Sequence, residues 1–516
     1  MSEQTQTLDA LAPPTLWHDP KRTSQQRQLE GVAKAGWKLT PATCAYRLTR
    51  GRWIPARHLL YLSKIIATEI AKGDGRILVM SPPRHGKSEF ISIRTPIWFL
   101  EKYPEKNTIT CTFSADLAVE FAVKVRDAFM NEENHDLLTT RIRTDRKRVD
   151  SFMTTDGGRA TSVGIGGVLT GRGADLLIID DYVKNAEESL SESQLRKTWE
   201  WFKSTAYTRL EPGATLIILA TRWSQNDLIG MCRKELPHEK WTIIRLPAIA
   251  EVGDPLDRVP GEALWPERFP VEVLNRIKLS MGSYWFDAEY QQSPRASMSE
   301  IALGDAIKVV KPTQIPADMR YIRAWDLAGT EGEGDWSVGV KMGREMSNFH
   351  AGGMVYITDI QRFRKSPHGN EIHIREVAEM DGVGCEIIME QEPGSSGITV
   401  IQNYSLKILH NFAFSGERAT GPVEIRAQPF LAACEAGRLC MVEAEWNQAL
   451  RDEINAFPDG EHDDQPVACA LGYNRLVGRN KQGLTWGANS WVDESKHTTK
   501  APLGERNVQR RSGLTW

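Results

Sequence analysis

No run of apolar residues in this 516-residue chain is long enough to span a bilayer, and the N-terminal Met1-Ser-Glu-Gln-Thr lacks the basic and apolar stretches of a signal peptide. The reading is a chain that stays in the cytoplasm where it is made and has no membrane partner. Cysteine pairs are missing too: Cys44, Cys111, Cys232, Cys385, Cys434, Cys440 and Cys469 are scattered, odd in number and never spaced as Cys-x-x-Cys. That excludes a disulfide framework and a zinc site, and leaves reduced, buried thiols. A basic excess is also absent. The 64 Lys and Arg against 67 Asp and Glu give a net charge of −3, which excludes a uniform cationic coat and leaves only local patches for nucleic acid. One such patch is Arg141, Arg143, Arg146, Lys147 and Arg148, which reads first as a solvated face.

What is present is a pair of runs 93 residues apart, counted from Lys87 to Asp180. Ser81-Pro-Pro-Arg-His-Gly-Lys-Ser88 follows apolar Ile77 to Met80 and precedes Phe90-Ile91-Ser92-Ile93, the strand, loop and helix start that a phosphate-binding loop requires. Backbone N–H groups of such a loop point at phosphates, Lys87 reaches the β- and γ-phosphates, and the Ser88 hydroxyl ligands Mg²⁺. Ser81, Pro82, Pro83, Arg84, His85, Gly86, Lys87 and Ser88 are therefore the candidate nucleotide-binding residues. In the second run, Asp175-Leu-Leu-Ile-Ile-Asp-Asp181, a buried strand delivers Asp180 to the metal, and Asp181 stands next to it to polarise a water. ATP with Mg²⁺ is the expected ligand.

The chain is too long for one hydrophobic core. Residues 1–45 have little periodicity and read as an arm. From 46 to 265, strand-like runs at Ile77–Met80, Thr108–Phe113, Leu176–Ile179, Thr215–Leu219 and Trp241–Leu246 alternate with helical stretches, the pattern of a parallel sheet covered by helices. Residues 266–318, rich in proline, read as a connector. From 319 to 475, runs at Tyr321–Asp326, Trp336–Lys341 and Met354–Asp359 form a three-stranded meander, Cys385–Met389 adds a strand, and Trp446, Leu450, Ile454 and Phe457 recur at helical spacing. Residues 476–516 are a basic tail; from 473 onward there are eight Lys or Arg and three Asp or Glu, and Gly-Leu-Thr-Trp occurs twice.

Asp326 ends the first strand of the meander, Glu390 ends the fourth strand, and Asp463-Asp464 heads a helix with Pro466 in its first turn. Carboxylates from separate elements can converge on a pair of hard divalent cations, Mg²⁺ or Mn²⁺, that clamp the attacking and leaving oxygens of a phosphodiester.

With these residues assembled, the chain resembles the large terminase subunit of tailed bacteriophages over roughly residues 50–475. Pro82 to Ser88 resembles the family's variant phosphate loop, Leu169-Thr-Gly-Arg-Gly-Ala-Asp-Leu-Leu-Ile-Ile-Asp-Asp181 its Walker B segment, and Ala220-Thr-Arg-Trp223 its coupling motif, in which Thr221 senses the γ-phosphate. Tyr290-Gln-Gln292 is similar to its inter-domain signature. Asp326, Glu390-Gln-Glu-Pro-Gly394 and Phe457-Pro-Asp-Gly-Glu-His-Asp-Asp464 resemble three nuclease motifs, with the third metal ligand from Asp463 or Asp464. Many relatives end Walker B with Asp-Glu; here the base is Asp181, or Glu187 or Glu188 beyond it. Arg84 and Arg172 are each placed to meet a γ-phosphate, one within the subunit and one across a ring interface.

The resemblance implies a RecA-like P-loop ATPase with a parallel sheet, followed by a ribonuclease H-like mixed α/β nuclease domain. It implies ATP-driven movement of double-stranded DNA into a procapsid and metal-dependent cutting of concatemers. The implied partners are DNA, a portal protein, a small terminase subunit and further copies in a ring, in the host cytoplasm and transiently on the procapsid. The alternatives are a repair-type helicase with a fused nuclease and a non-catalytic ATP-binding portal adaptor.

Overall fold

In the computed structural model, the residues described are 36–53, 55–169, 171–328, 336–346 and 353–477. The first sheet collects β1 (Arg76–Met80), β2 (Asn107–Thr112), β3 (Ile142–Lys147), β4 (Ser151–Thr154), β5 (Arg159–Gly164), β6 (Ala174–Asp180), β7 (Leu210–Ala220) and β8 (Thr242–Arg245). Their order is β3-β4-β5-β2-β6-β7-β1-β8, parallel from β5 to β8. The runs expected as strands all lie in this parallel part, which helices bury on both faces, so their sequences are nearly continuous hydrophobic runs. Side chains alternate between the faces. On β1, Ile77 and Val79 pack with Leu62, Ile66 and Phe90, whereas Leu78 and Met80 pack with Phe202, Ile229 and Cys232.

The antiparallel edge β3-β4-β5 differs from the expectation of a purely parallel sheet. Its residues are polar and largely exposed on β3, so hydrophobic periodicity carries little signal there. The basic patch lies on this edge, with Arg143 paired to Asp145 and Arg148 to Asp150. The arm expected to reach residue 45 also ends earlier: the helix Pro41–Leu48 starts on a Thr40 cap and buries Cys44 against the core.

The second sheet collects β9 (Lys308–Val310), β10 (Met319–Asp326), β11 (Ser337–Glu345), β12 (Val355–Phe363), β13 (Cys385–Gln391), β14 (Phe414–Arg418) and β15 (Leu439–Val442). The order is β14-β13-β10-β11-β12-β15-β9. The meander β10-β11-β12 is antiparallel as expected, and β13 joins β10 in parallel. Trp325 is fully buried and crosses the face of Gly339, where an added Cβ would lie 2.3 Å from the indole ring. The helix Asp464–Leu476 packs on the opposite face, its Gly472 fitting against Ala324 and Met342.

The stretch expected as a connector is more structured than its prolines suggest. Its helix Val271–Glu289 breaks at Gly282 (φ 78°), and the Glu435 carboxylate accepts the N–H of Ser283 at 2.7 Å, capping the second segment. Trp285 of that segment joins the core of the second sheet, while Leu274 and Phe286 pack on Ala248 and Ala263 beside the first. β9, from the same stretch, completes the edge of the second sheet. All seven cysteines are buried thiols. Among the described residues no helix is long and apolar enough to cross a membrane. The basic tail beyond residue 477 and the arm before residue 36 lie outside the described residues.

Candidate nucleotide and nuclease sites

Strand order decides which side chains meet. β7 lies between β1 and β6, so the carboxyl ends of three strands put the loop after β1, Thr221 after β7 and Asp180-Asp181 after β6 side by side. Lys87 Nζ donates to Thr221 Oγ1 at 2.7 Å and stands 3.5 Å from an Asp181 oxygen. Ser88 and Ser92 donate to the two oxygens of Asp180 at 3.2 and 2.5 Å. Asp180 is fully buried, and burial first, then the neighbouring Asp181 charge, pushes its carboxyl up to about 7. A buried acid beside a hydroxyl, with a like charge next to it, is a donor set that suits a hard divalent cation.

The loop turns through left-handed conformations at Arg84 (φ 62°) and Gly86 (φ 82°). Phe90 N donates to Gly86 O at 3.0 Å, so the helical backbone begins inside the loop, and the start of a helix is where backbone N–H groups are available to an anion. His85, expected among the phosphate-contacting residues, turns its ring inward instead. The imidazole is fully buried, stacks on Phe269 at 4.7 Å and hydrogen-bonds Pro83 O at 2.8 Å, and burial pushes it down to about 3. His85 is therefore a neutral brace, and only its backbone remains for phosphate. His58, upstream, is buried and hydrogen-bonds His85 O at 2.8 Å, so it supports the loop from within the core.

Among the three candidates for the water-polarising base, Asp181 holds the central place. It has a left-handed backbone (φ 44°) and accepts the N–H of Thr221 at 3.2 Å. Glu188 caps its own helix by accepting Lys184 N at 3.0 Å, and Glu187 is exposed. Arg84 is exposed on the loop. Arg172 is elsewhere: it precedes β6 at the edge opposite Asp180, and the seven-residue strand sets the two ends roughly 20 Å apart. An arginine side chain does not cover that distance, so of the two places open to Arg172, within the subunit or across a ring interface, the first does not fit this geometry.

Sequence pattern alone assigns no specific role to Glu289 and Gln292. Gln292 is buried with φ 56°, and its Oε1 accepts the N–H of Arg222 at 3.1 Å, one residue after Thr221. Glu289 reaches the same region; burial pushes its carboxyl up to about 8, offset by the charge of Lys87. Trp223 lies 6.0 Å from Trp285 and packs against the cores of both sheets. Tyr290-Gln-Gln292 was visible as a signature, but its partners were not, because they lie about 70 residues away in the chain.

In the second sheet, Trp325 pairs with Met389, so Asp326 and Glu390 follow side by side at adjacent strand ends. Asp463 and Asp464 reach the same place from the helix start. The Asp326 carboxyl is pushed well above its usual range by burial and then by the charges of Glu390, Asp464 and Asp463. Glu390 is drawn to Arg426 at 2.6 Å, and Asp464 accepts Trp336 N at 3.3 Å. Among the described residues no three His, Cys, Asp or Glu side chains are gathered tightly enough to hold a metal ion. Asp326 and Glu390 are neighbours by strand register, and the charges of Glu390, Asp464 and Asp463 all act on the Asp326 carboxyl; carboxylate oxygens are the donors that hard divalent cations take.

These two sheets define a class: a phosphate-loop nucleotide-binding fold joined to a ribonuclease H-like fold. A family model for the terminase large subunit, T4likevirus type, N-terminal, matches residues 78–287, and one for the terminase RNaseH-like domain matches residues 323–476. Between them they cover more than half of the chain, which belongs to the terminase large-subunit family. The large terminase subunit of Enterobacteria phage T3 is 25% identical over 292 residues, covering 49% of this chain and 47% of that one. The chain thus spans about half the length of this curated relative. Among solved structures, the large terminase of a thermophilic bacteriophage has a TM-score of 0.44 at 12% identity, covering 86% of this chain and 98% of that one. The large terminase of bacteriophage HK97 has a TM-score of 0.31 at 12% identity, covering 82% and 94%.

Proposed function

We propose that this chain is the ATP-hydrolysing and DNA-cutting subunit of a viral genome-packaging motor. The observation that carries the reading is the hydrogen-bonded set of Lys87, Thr221, Asp180 and Ser88 in the same chain as the acid cluster at the ends of β10 and β13. In this reading Lys87 leaves Thr221 to hold the β- and γ-phosphates, and Thr221, freed or re-engaged, registers whether the γ-phosphate is present. Ser88 and Asp180 hold Mg²⁺, and Asp181 orients the attacking water. In the second site Asp326, Glu390 and Asp463 or Asp464 hold divalent ions, with Arg426 limiting the movement of Glu390. Bound divalent ions supply the charge that stabilises a phosphodiester transition state and a water activated at neutral pH.

The domain division that goes with this is an ATPase that starts at the helix Pro41–Leu48 and runs to residue 265, a connector over 266–318 and a nuclease over 319–475, with the basic tail after it. Double-stranded DNA is the substrate, and a portal protein, a small terminase subunit and further copies of this chain in a ring are the partners, at a procapsid in the host cytoplasm. The test is to titrate the purified full chain with plasmid DNA, ATP and Mg²⁺ or Mn²⁺ and to score phosphate release and strand cutting separately. Both activities are expected; absence of phosphate release under every condition would remove the motor reading.

A further inference from the structure

The carboxyl end of β10 that carries Asp326 continues into a cationic, aromatic ledge that the activities proposed above do not use. Asp326 pairs with Val338 on β11, and Val338 pairs with Arg362 on β12. Directly paired residues share a sheet face, as do alternate residues along a strand. Trp336 and Arg364, two positions beyond Val338 and Arg362, therefore lie on the face of Asp326, which the helix Asp464–Leu476 also covers. Both guanidinium groups stack on the Trp336 ring, Arg362 at 4.5 Å and Arg364 at 4.0 Å from its centre. The Trp336 backbone N–H donates to an Asp464 oxygen at 3.3 Å, tying the main chain that carries the ring to the acid site.

The two arginines differ in what else they do. Arg362 reaches Glu453 at 3.4 Å, and Glu453 accepts the N–H and side-chain amide of Gln465 at 2.7 and 2.6 Å, so Arg362 is part of the support beneath the helix start. Arg364 is exposed, and among the described residues no carboxylate pairs with it. Lys365 beside it is exposed as well. A fixed, planar cation of this kind, next to acids that suit metal ions, matches a phosphate oxygen of a nucleic-acid backbone.

We propose that Arg364, held over the Trp336 ring, binds a backbone phosphate of the DNA strand that enters the acid site, setting which phosphodiester is presented. This rests on reading that site as a nuclease. The ledge fixes position and carries no base preference, since the contact is to phosphate.

The test uses the full chain and a fluorescein-labelled DNA duplex. In EDTA, where metal-dependent cutting does not proceed, binding is measured against salt concentration. Losing one phosphate contact should lower the slope of log affinity against log salt by about 0.9 and weaken binding about fivefold to tenfold in Arg364→Ala. Arg364→Lys, which keeps the charge, should retain most of the slope. With Mn²⁺, Arg364→Ala should raise the KM for cutting by a similar factor and leave kcat within about twofold. Equal slopes and affinities in all three proteins, or Arg364→Lys behaving as Arg364→Ala, would overturn the proposal. If the unmodified chain binds but does not cut with Mg²⁺ or Mn²⁺, the nuclease reading fails, while the binding comparison still decides whether Arg364 meets phosphate.

Discussion

The ammonium of Lys87 and the hydroxyl of Thr221 are hydrogen-bonded at 2.7 Å across the ends of β1 and β7. Both are buried, so the lysine that would grip a triphosphate is already held by the residue placed to report on it. Thr221→Val keeps the shape and removes that hydroxyl. The expected outcome is ATP hydrolysis lowered at least about tenfold in kcat, with KM for ATP little changed, because the hydroxyl acts after binding. Steady-state phosphate release checks this; an unchanged kcat would show that Thr221 is structural only.

Gln292 meets the same strand end from the connector. Gln292→Leu leaves the buried N–H of Arg222 without its acceptor, a loss of about 1–3 kcal/mol. A lower melting temperature should accompany reduced ATP hydrolysis, while plasmid cutting with Mn²⁺ is less affected. A melting temperature equal to that of the unmodified chain would contradict the bond.

Glu289 gives a pH signature. Its carboxyl is raised by burial to about 8 in the folded chain, above its ordinary value when unfolded, so the folded state holds a proton that the unfolded state releases. The stability this gives is fully present below about pH 4.3 and is lost as pH rises through about 8. Glu289→Gln stays neutral throughout. Its melting temperature, relative to the unmodified chain, should therefore climb between about pH 5 and pH 8.5, and parallel curves would contradict the raised value.

Much of this arrangement was legible in the sequence because it is local. Parallel strands buried on both faces write themselves as apolar runs, which is why Ile77 to Met80 and Leu176 to Ile179 were recognisable, and the acids that end such runs fall at one edge of the sheet. The β3-β4-β5 edge was not legible, since exposed polar strands lack that periodicity. Nor was the pairing of Gln292 with Arg222, of Glu390 with Arg426 or of Trp336 with Asp464, each of which depends on strand order and not on spacing. His85 misled for a related reason. A motif names positions near phosphate but does not say which side chains turn inward.

Arg172, at the far edge of the sheet from Asp180, can serve a nucleotide only on another copy of the chain. Arg172→Ala should leave ATP binding by isolated chains unchanged and lower hydrolysis in assemblies about a thousandfold or more if it acts as a finger. Mixing Arg172→Ala chains with Lys87→Ala chains should restore part of the activity at mixed interfaces. No recovery in oligomers shown to be mixed would remove Arg172 from the chemistry altogether.

The most direct measurement compares Lys87→Ala and Asp326→Ala full-length proteins for phosphate release from ATP and for nicking of plasmid DNA with Mn²⁺. Two separate sites on two sheets predict that Lys87→Ala loses hydrolysis and still cuts, and that Asp326→Ala loses cutting and still hydrolyses ATP. Full ATP hydrolysis by Lys87→Ala, or undiminished cutting by Asp326→Ala, would contradict the account.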